Sequence, residues 1–392
     1  MKQKVCLTTL EFPPDIGGVG ESVARISQML LDLGYQVHVA VFHFSKRQIK
    51  IQRSSCQTIE ENGIFIHRLT AAVRGTEFNT LSKTMMDYRS EIYFQLQQLQ
   101  KKFYFDLWHG FFLKETGFLT TLLGKENQLP VINSIRGSDL HKHIFDPQQH
   151  AQLCWSLENS SWLTFVSNDL YQRATILSPN LQTKSSVFWN SIKPINFASL
   201  STPSLIKKCS GIVIGAVGRF RDKKGLEYLL DACSQLAVEN VDFTLLLVGD
   251  FVAKEQEYWQ QQINFSGIYE RIIITGIIQH SEVMNYLPGI DIFAIPSLND
   301  GCPNALLEAM LASRAIIGSN VGAIGEILVD GVDGLVINPG CSQELVVALK
   351  RLERSPLLRE RLGKAAREKA LRELAPEVEQ QNWAKVYEGA LT

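Results

Sequence analysis

The chain has 392 residues, too many for a single comfortable hydrophobic core and a length that suits two domains. Its 39 basic and 40 acidic residues nearly cancel, and 45% of the residues are apolar, as in ordinary soluble globular proteins. With no long basic stretch, the composition excludes a protein that depends on nucleic-acid phosphates for binding.

The first half predicts a β-α-β unit at its start. An apolar strand at residues 4–10 leads into a glycine loop, and a helix follows with Val23, Ile26, Leu30 and Leu33 on one face and Gly34 as its stop. The next strand covers residues 36–42. Further strands are predicted at residues 64–69, 106–108, 131–135, 162–166 and 186–189. Because helices alternate with them, the pattern predicts a doubly wound parallel sheet.

A Ser-, Thr-, Pro- and Lys-rich stretch at residues 194–210 predicts a linker, after which the pattern restarts. The strands expected in the second half cover residues 211–217, 243–248, 271–275, 290–295, 315–319 and 334–337. Charged helices follow from residue 342, with Pro376 breaking the last one. The sequence therefore predicts two Rossmann-like domains, residues 1–200 and 201–375, followed by a C-terminal helix at 376–392.

The seven cysteines are dispersed, and no two form a C-x-x-C pair. They are Cys6, Cys56, Cys154, Cys209, Cys233, Cys302 and Cys341. This spacing argues against a disulfide framework and a zinc site, and it favours reduced thiols in a cytoplasmic protein. The N-terminal residues lack a signal-peptide pattern, and no apolar run reaches the roughly 20 residues that span a bilayer. We therefore expect a soluble protein, at most peripheral at the inner membrane face.

The first glycine loop contains Gly17-Gly18-Val19-Gly20 between a strand and a helix, a place where backbone amides can hold phosphate. It lacks the third glycine of the dinucleotide fingerprint. The next strand ends at His43 without the acid that would bind an NAD ribose, which counts against an oxidoreductase. The loop is either a tight turn or a point where a ligand approaches closely, and the double glycine favours the ligand.

A segment of the second half, residues 218–225, places charged side chains at the carboxyl end of a strand, where open α/β sheets bind ligands. Arg219 can offer a bidentate fork to a phosphate, and Lys224 a compact charge. Arg221 and Lys223 are interpreted as surface charges.

The segment at residues 296–310 predicts a strand end, a loop with Asp300, and a helix that begins near Pro303. Amides just after Gly301 would point at an anion, with the helix dipole adding to the attraction. Glu308 lies within the apolar part of this helix, where a carboxylate is costly unless a partner binds it. Ribose hydroxyls suit it, because a carboxylate accepts two hydrogen bonds.

These motifs together resemble the retaining nucleotide-sugar glycosyltransferases of the GT-B fold, in particular the family 4 group. The resemblance extends over nearly the whole chain and includes the early Gly-Gly loop, the Gly-Arg-x4-Lys-Gly segment, the Leu-Val-Gly-Asp strand end at 247–250 and the acid-x7-acid motif. It implies an α/β fold of two Rossmann-like domains facing across a cleft. The first would bind the acceptor and the second the nucleotide sugar, with the C-terminal helix packing back on the first.

The resemblance also implies the roles of individual residues. Arg219 and Lys224 would neutralise the donor diphosphate, Glu308 would bind the ribose, and Asp300 would hold hydroxyls of the transferred sugar. Further donor contacts are implied for Gly18, Ile277, Gly301, Cys302, Pro303 and Asn304.

Three positions depart from the family pattern. Asp300 stands where the family motif normally begins with Glu. Arg136, in Arg136-Gly137-Ser138-Asp139, stands where the family often has a catalytic-site His; arginine cannot act as a base but can hold a negatively charged group. The usual Asn-Gly-Ile-Asp segment is Asn-Ser-Ile-Lys at residues 190–193, which is interpreted as a hinge variation. The predicted catalytic residues are thus Arg219, Lys224, Asp300 and Arg136.

The implied reaction transfers a sugar, with retention of configuration, from a nucleotide sugar to a sugar, lipid-linked or small-molecule acceptor. UDP-sugars are favoured because they are common in the family. No cofactor or metal is expected, since the sequence contains no Asp-x-Asp pair. Three alternatives remain: an epimerase, a phosphorylase, and a catalytically silent partner subunit. The aromatic and basic run at residues 93–112 fits either core packing, which we favour, or contact with a membrane or a lipid-linked acceptor.

Overall fold

A computed structural model of the chain describes residues 2–15, 17–43, 54–71 and 81–392. The chain forms two compact units: unit 1 consists of Met1–Phe188 and Glu379–Thr392, and unit 2 of Trp189–Val378. The division falls at residue 188, twelve residues before the boundary that the sequence predicts at 200. The reason is that the predicted linker packs on unit 2, where Ile195, Phe197 and Leu200 contact one of its apolar clusters.

A mainly parallel sheet forms the centre of unit 1. Its strands are β1 (Lys4–Thr9), β2 (Gln36–His43), β3 (Ser55–Glu61), β4 (Ile64–Thr70), β5 (Leu107–Phe111), β6 (Val131–Ile135), β7 (Trp162–Phe165) and β8 (Ser185–Val187). Within the described residues the strand order is β3-β4-β2-β1-β5-β6-β7-β8, and only the β3–β4 pair is antiparallel. Because β1 has β2 on one side and β5 on the other, the winding reverses at β1, as in a doubly wound sheet.

The helices of unit 1 follow its strands in the alternation that the sequence predicts. They are α1 (Gly18–Asp32), α2 (Leu81–Phe103), α3 (Phe118–Asn127), α4 (Ser138–His141), α5 (Pro147–Asn159) and α6 (Asn168–Leu177). Helix α1 buries Val23, Ile26 and Leu30, as predicted. Leu33 does not share that buried face: the helix ends at Asp32, and Leu33 is its 37% exposed C-cap.

Strand β3 is not predicted by the sequence. All of its residues are exposed, so it lacks the apolar alternation by which strands are recognised. It forms a hairpin with β4 through Asn62 and Gly63, whose φ angles are 51° and 81°. An Asn-Gly pair suits such a two-residue turn, since both positions need positive φ. That dipeptide was the available signal.

Unit 2 contains a fully parallel sheet. Its strands are β9 (Ile212–Phe220), β10 (Phe243–Phe251), β11 (Ile272–Ile274), β12 (Ile292–Ile295), β13 (Ala315–Ser319) and β14 (Leu335–Ile337). Among the described residues the order is β11-β10-β9-β12-β13-β14. The helices are α7 (Leu226–Val238), α8 (Gln256–Phe265), α9 (His280–Tyr286), α10 (Asn304–Leu311), α11 (Gly322–Ile327), α12 (Ser342–Glu353) and α13 (Pro356–Glu373), followed by α14 (Pro376–Leu391).

Helices cover both faces of the sheet in unit 2, so its strands are buried on both sides. Along β10, Leu245 and Leu247 belong to one apolar cluster, whereas Leu246 and Val248 belong to another. Successive side chains of a strand point to opposite faces, so the two clusters lie on opposite sides of the sheet. This explains the nearly continuous apolar sequence of these strands.

Helix α14 ends the chain and packs into the core of unit 1. Trp383 and Tyr387 are fully buried there. The Tyr387 hydroxyl lies 2.8 Å from Nδ1 of the buried His109. The guanidinium of Arg25 on α1 pairs with Glu379, Nε to Oε2 at 2.9 Å. The helix is thus held by apolar burial and by polar contacts with α1 and β5.

Candidate functional site

The carboxyl ends of β9 and β12 lie side by side in unit 2. Strand β9 pairs with β10 on one side and β12 on the other, so the direction of winding reverses between β9 and β12. A crevice for ligands forms at such a reversal point in an open parallel sheet. The predicted segments at residues 218–225 and 296–310 follow these two strands, and the fold therefore brings both segments to the same edge.

The loop that carries the two lysines is fixed against the loop after β12. Gly225 has a φ of 67°, and a side-chain carbon there would lie 1.9 Å from the carbonyl oxygen of Pro296. The backbone N–H of Leu298 donates to the carbonyl oxygen of Lys223 at 2.8 Å. Only glycine can adopt this φ and also lie so close to the Pro296 carbonyl oxygen, so residue 225 allows the loop after β9 to pack against the loop after β12.

Asp300 lies between two ammonium groups. Its Oδ2 is 2.6 Å from Nζ of Lys224, and its Oδ1 is 3.5 Å from Nζ of Lys223. The backbone N–H of Gly301 also donates to Oδ1, at 3.1 Å. Burial raises the pKa of Asp300, but Lys224 and Lys223 outweigh it and hold that pKa well below the usual value. The carboxylate is therefore ionised at neutral pH.

Lys223 is not the surface charge that the sequence suggests. Its side chain is only 23% exposed, and burial lowers its pKa although Asp300 opposes the shift. Arg221, two residues earlier, is exposed, in agreement with the prediction. Arg219, at the end of β9, is also exposed, and within the described residues it has no ion pair or side-chain hydrogen bond. The structure thus places Lys223, together with Lys224, beside Asp300.

The loop from Gly301 to Asn304 offers fewer amides than predicted. The N–H of Gly301 is already bonded to Asp300, and Pro303 has no N–H. Pro303 is the N-cap of α10, so the helix begins at Asn304, one residue later than predicted. The Asn190 amide donates from Nδ2 to the carbonyl oxygen of Cys302 at 3.0 Å. The segment interpreted as a hinge variation therefore contacts this loop directly.

A second glycine, Gly322, packs closely against the main chain of the Asp300 loop. Gly322 has a φ of 46°, and a side-chain carbon there would lie 2.0 Å from the carbonyl oxygen of Asp300. The N–H of Ala323 donates to the carbonyl oxygen of Gly301 at 2.8 Å. The start of α11 therefore fixes the main chain at the site.

Glu308 is buried in α10 and is 2% exposed. Its Oε1 lies 2.7 Å from Nε2 of His280, the first residue of α9. The sequence analysis missed His280; a buried acid calls for a partner, but no sequence pattern identifies which one. The His280 side chain is 46% exposed, so it bridges the buried carboxylate and solvent. Ile277, predicted to lie near a base, is 69% exposed in the loop between β11 and α9.

Gly18 and Arg136 belong to unit 1. Gly18 is exposed and begins α1. A side-chain carbon at Gly20 would lie 3.2 Å from the backbone carbon of Glu11, and one at Gly17 would meet the Glu11 carboxylate at 1.8 Å. Close packing on the Glu11 main chain thus accounts for Gly20, whereas the flexible Glu11 side chain can move away from residue 17.

Arg136 follows β6 and is held through its main chain. Its backbone N–H donates to Oδ2 of Asp139 at 3.1 Å, and the N–H of Leu113 donates to Oδ1 at 2.7 Å. Burial raises the pKa of Asp139 to about 6, against the lowering effect of these hydrogen bonds. The guanidinium carbon of Arg136 lies 5.9 Å from the centre of the Phe111 ring, within cation–π range. Asp139 therefore ties together the loops after β5 and β6.

Two known protein families match parts of the chain. A family described as glycosyl transferases group 1 matches residues 211–355, and one described as glycosyl transferase 4-like matches residues 22–167. The matched regions thus cover the site-bearing part of unit 2 and most of unit 1. The chain belongs to the group 1 glycosyl transferases.

Curated relatives of this group 1 glycosyl transferase include two proteins of Streptomyces kanamyceticus. Alpha-D-kanosaminyltransferase is 28% identical over 150 residues, 38% of each chain. A 2-deoxystreptamine glucosyltransferase is 26% identical over 212 residues, which are 52% of this chain and 54% of the relative. The alignments therefore cover about half of these relatives or less.

Solved structures resemble the chain over nearly its full length. Sucrose-phosphate synthase from Thermosynechococcus elongatus has a TM-score of 0.80 at 17% identity, covering 99% of this chain and 98% of that one. HepE from Anabaena, solved with UDP-glucose, has a TM-score of 0.74 at 17% identity and covers 98% and 99%. These similarities confirm the predicted GT-B fold, with a doubly wound α/β sheet in each unit.

The seven cysteines are free thiols. In the described ranges, no helix is both long and apolar enough to cross a membrane, and no three His, Cys, Asp or Glu side chains cluster as a metal site would require. In the run at residues 93–112, Leu96, Leu99 and Trp108 are buried as favoured, whereas Phe94 and Tyr104 are exposed.

Proposed function

We propose that this chain transfers a sugar from a nucleoside-diphosphate sugar to an acceptor, with retention of configuration and without a metal ion. The observation that carries the proposal is the charged group at the β9–β12 edge, where Lys224 contacts Asp300, the first acid of the acid-x7-acid motif that ends at Glu308. HepE, which shares the fold, was solved with UDP and with UDP-glucose. This supports UDP-sugars as the favoured donors.

The proposed chemistry needs positive charge where the leaving diphosphate gains negative charge. Sugar transfer passes through an oxocarbenium-like state, and groups already aimed at the leaving oxygen stabilise it most effectively. Lys224 is held within the loop by Gly225, and Arg219 stands exposed at the end of β9, ready to bind a phosphate. The N-terminus of α10 adds the positive end of its dipole. Together they would supply the charge that a metal supplies elsewhere.

The two carboxylates have separate proposed roles. Asp300 would accept hydrogen bonds from hydroxyls of the transferred sugar, and Glu308 from the ribose. One Glu308 oxygen is already bonded to His280, so the other is the proposed acceptor for a ribose hydroxyl. For retention, the acceptor would attack from the face that the leaving diphosphate occupies, and that diphosphate would take the acceptor's proton. Gly18 and Arg136 remain predicted site residues in unit 1, with Arg136 as the holder of a negatively charged group.

The first experiment tests donor binding and turnover separately. A thermal-shift panel of UDP-, GDP- and ADP-sugars selects the donor, and release of free nucleotide is then measured with an acceptor panel. The panel should include 2-deoxystreptamine and cell-surface polysaccharide precursors, since relatives are named for 2-deoxystreptamine, teichuronic acid and amylovoran. Lys254→Met is the matched control for Lys224→Met, because the Lys254 side chain is 72% exposed.

We expect a nucleotide sugar to raise the melting temperature of the wild type and of Lys254→Met, but not of Lys224→Met. Sugar interconversion without nucleotide release would indicate an epimerase, and phosphate-dependent release of sugar phosphate a phosphorylase. Binding without turnover, or turnover only with a second chain, would indicate a silent partner subunit. If no nucleotide sugar binds the wild type, the proposed function is wrong.

A further inference from the structure

One carboxylate in unit 2 is shared by two ammonium groups. Both oxygens of Asp300 are engaged: Lys224 contacts Oδ2, while Lys223 and the N–H of Gly301 contact Oδ1. The side chains of Lys223, Lys224 and Asp300 are 23%, 19% and 12% exposed. The cluster therefore holds one positive charge more than its carboxylate balances, at a place with little solvent.

The position of Lys223 is built by the main chain. Its own N–H donates to Oδ1 of Asp222 at 2.7 Å, and its carbonyl oxygen accepts from Leu298 at 2.8 Å. Residue 298 lies two residues before Asp300, so the backbone of Lys223 is tied to the loop that carries the carboxylate. A lysine on a free surface would extend into solvent, as Lys254 does at 72% exposure.

We propose that Lys223 is a positioning residue that keeps Asp300 paired when a donor diphosphate draws Lys224 away. This inference rests on the proposed function, because it needs a diphosphate at Lys224. In the structure, Lys224 makes the short contact with Asp300 and Lys223 the longer one. On donor binding, Lys224 turns towards the phosphate oxygens and leaves Oδ2 to a sugar hydroxyl, while Lys223 stays on Oδ1.

The physical reason is the free-energy cost of leaving a buried charge without a counter-charge. Removing one partner of a buried ion pair is strongly unfavourable, because the remaining ion has neither water nor a counter-charge. Without Lys223, Lys224 could reach the diphosphate only by leaving Asp300 uncompensated. Lys223 thus lets one lysine change partners at little cost, and it acts through Asp300 rather than on the ligand.

A double-mutant cycle with UDP as the probe tests this mechanism. The dissociation constant of UDP is measured by calorimetry for the wild type, Lys223→Met, Asp300→Asn and the double variant; GDP or ADP replaces UDP if it binds more tightly. Lys223→Arg keeps the charge and should restore binding. Arg221→Met is the matched control, since it removes an exposed charge from the same loop. Thermal melting of each variant verifies folding.

We expect Lys223→Met to weaken UDP binding about tenfold, the scale of one hydrogen bond to a charged group. In the Asp300→Asn background, Lys223→Met should change UDP binding less than about twofold, because no carboxylate remains that could be left without a counter-charge. A loss of equal size in both backgrounds would show that Lys223 contacts phosphate directly and overturns the inference. Unchanged binding in Lys223→Met overturns it as well. If the wild type binds no nucleotide, the proposed function fails together with it.

Discussion

The contact between His280 and Glu308 allows a quantitative test of the ribose assignment. In His280→Ala, the buried Glu308 carboxylate loses the imidazole donor that lies 2.7 Å from its Oε1. A hydrogen bond to a charged group contributes about 1.5–3 kcal/mol. Because the His280 side chain is 46% exposed, water can replace part of the stabilisation that its hydrogen bond gives Glu308, and we expect a loss in the lower half of that range. If the freed carboxylate also binds ribose less well, nucleotide affinity should fall about ten- to fortyfold.

The assay compares nucleotides that differ only at the ribose. Dissociation constants of UDP, 2′-deoxy-UDP and 3′-deoxy-UDP are measured for the wild type and for His280→Ala. His280→Gln retains an N–H donor and should lose less. His43→Ala is the control, since that histidine is exposed at the end of β2 in unit 1.

The expected pattern is that the His280→Ala effect shrinks for the deoxy-nucleotide that lacks the hydroxyl bound by Glu308. Equal losses for all three nucleotides would refute the reasoning, because His280 would then act on another part of the ligand or on the fold. Unchanged affinity for UDP would show that Glu308 does not depend on His280 for its orientation.

Four further predictions concern charge, metal, backbone and pH. Arg219→Ala should lower kcat by about 10²–10³, the usual effect of losing one donor to a developing negative charge, and near wild-type turnover would contradict the proposed role. Saturating EDTA should leave turnover intact, whereas inhibition that Mg²⁺ reverses would show that a metal is needed. Gly322→Ala should lower both turnover and melting temperature, because its side chain would meet the Asp300 carbonyl. Gly331→Ala is the control: residue 331 has a φ of 71°, but a side-chain carbon there would have no atom within 4 Å. This variant should lose only the stability that corresponds to backbone strain, about 1–2 kcal/mol, and equal losses in Gly322→Ala and Gly331→Ala would disprove the clash. Burial lowers the pKa of His109 to about 3, so its stabilising effect is complete above pH 6.5 and is lost as the pH falls below that value, by up to about 1.4 kcal/mol per pH unit. His109→Gln should flatten the dependence of the unfolding free energy on pH between 6.5 and 5, and an unchanged slope would argue against this origin.

Much of the site could be predicted because it depends on strand ends. The apolar strands that became β9 and β12 were recognisable, and parallel strands present their carboxyl ends at one edge of the sheet. The sequence therefore places the segments that carry Lys224 and Asp300, 76 residues apart, at one edge, and in the structure the two side chains are in contact. Glu308 was likewise recognisable as a carboxylate inside an apolar helix.

The parts that could not be predicted depend on tertiary contacts. Arg221 and Lys223 look alike in sequence, but in the structure the Lys223 side chain reaches Asp300 and its carbonyl oxygen accepts from Leu298, whereas Arg221 is exposed. His280 precedes Glu308 by 28 residues and reaches it because α9 and α10 begin at the same edge of the sheet. A sequence pattern contains no information about either contact.

The packing of α14 into unit 1 has a consequence for how the protein is made. During synthesis, residues 1–188 leave the ribosome before unit 2, but Trp383 and Tyr387, which complete the apolar core of unit 1, emerge after it. Until then the face of the sheet that α14 covers is open, and His109 lacks its phenol partner. Unit 2 can therefore fold as a continuous segment of nascent chain, whereas unit 1 is the last to be finished although its translation starts first.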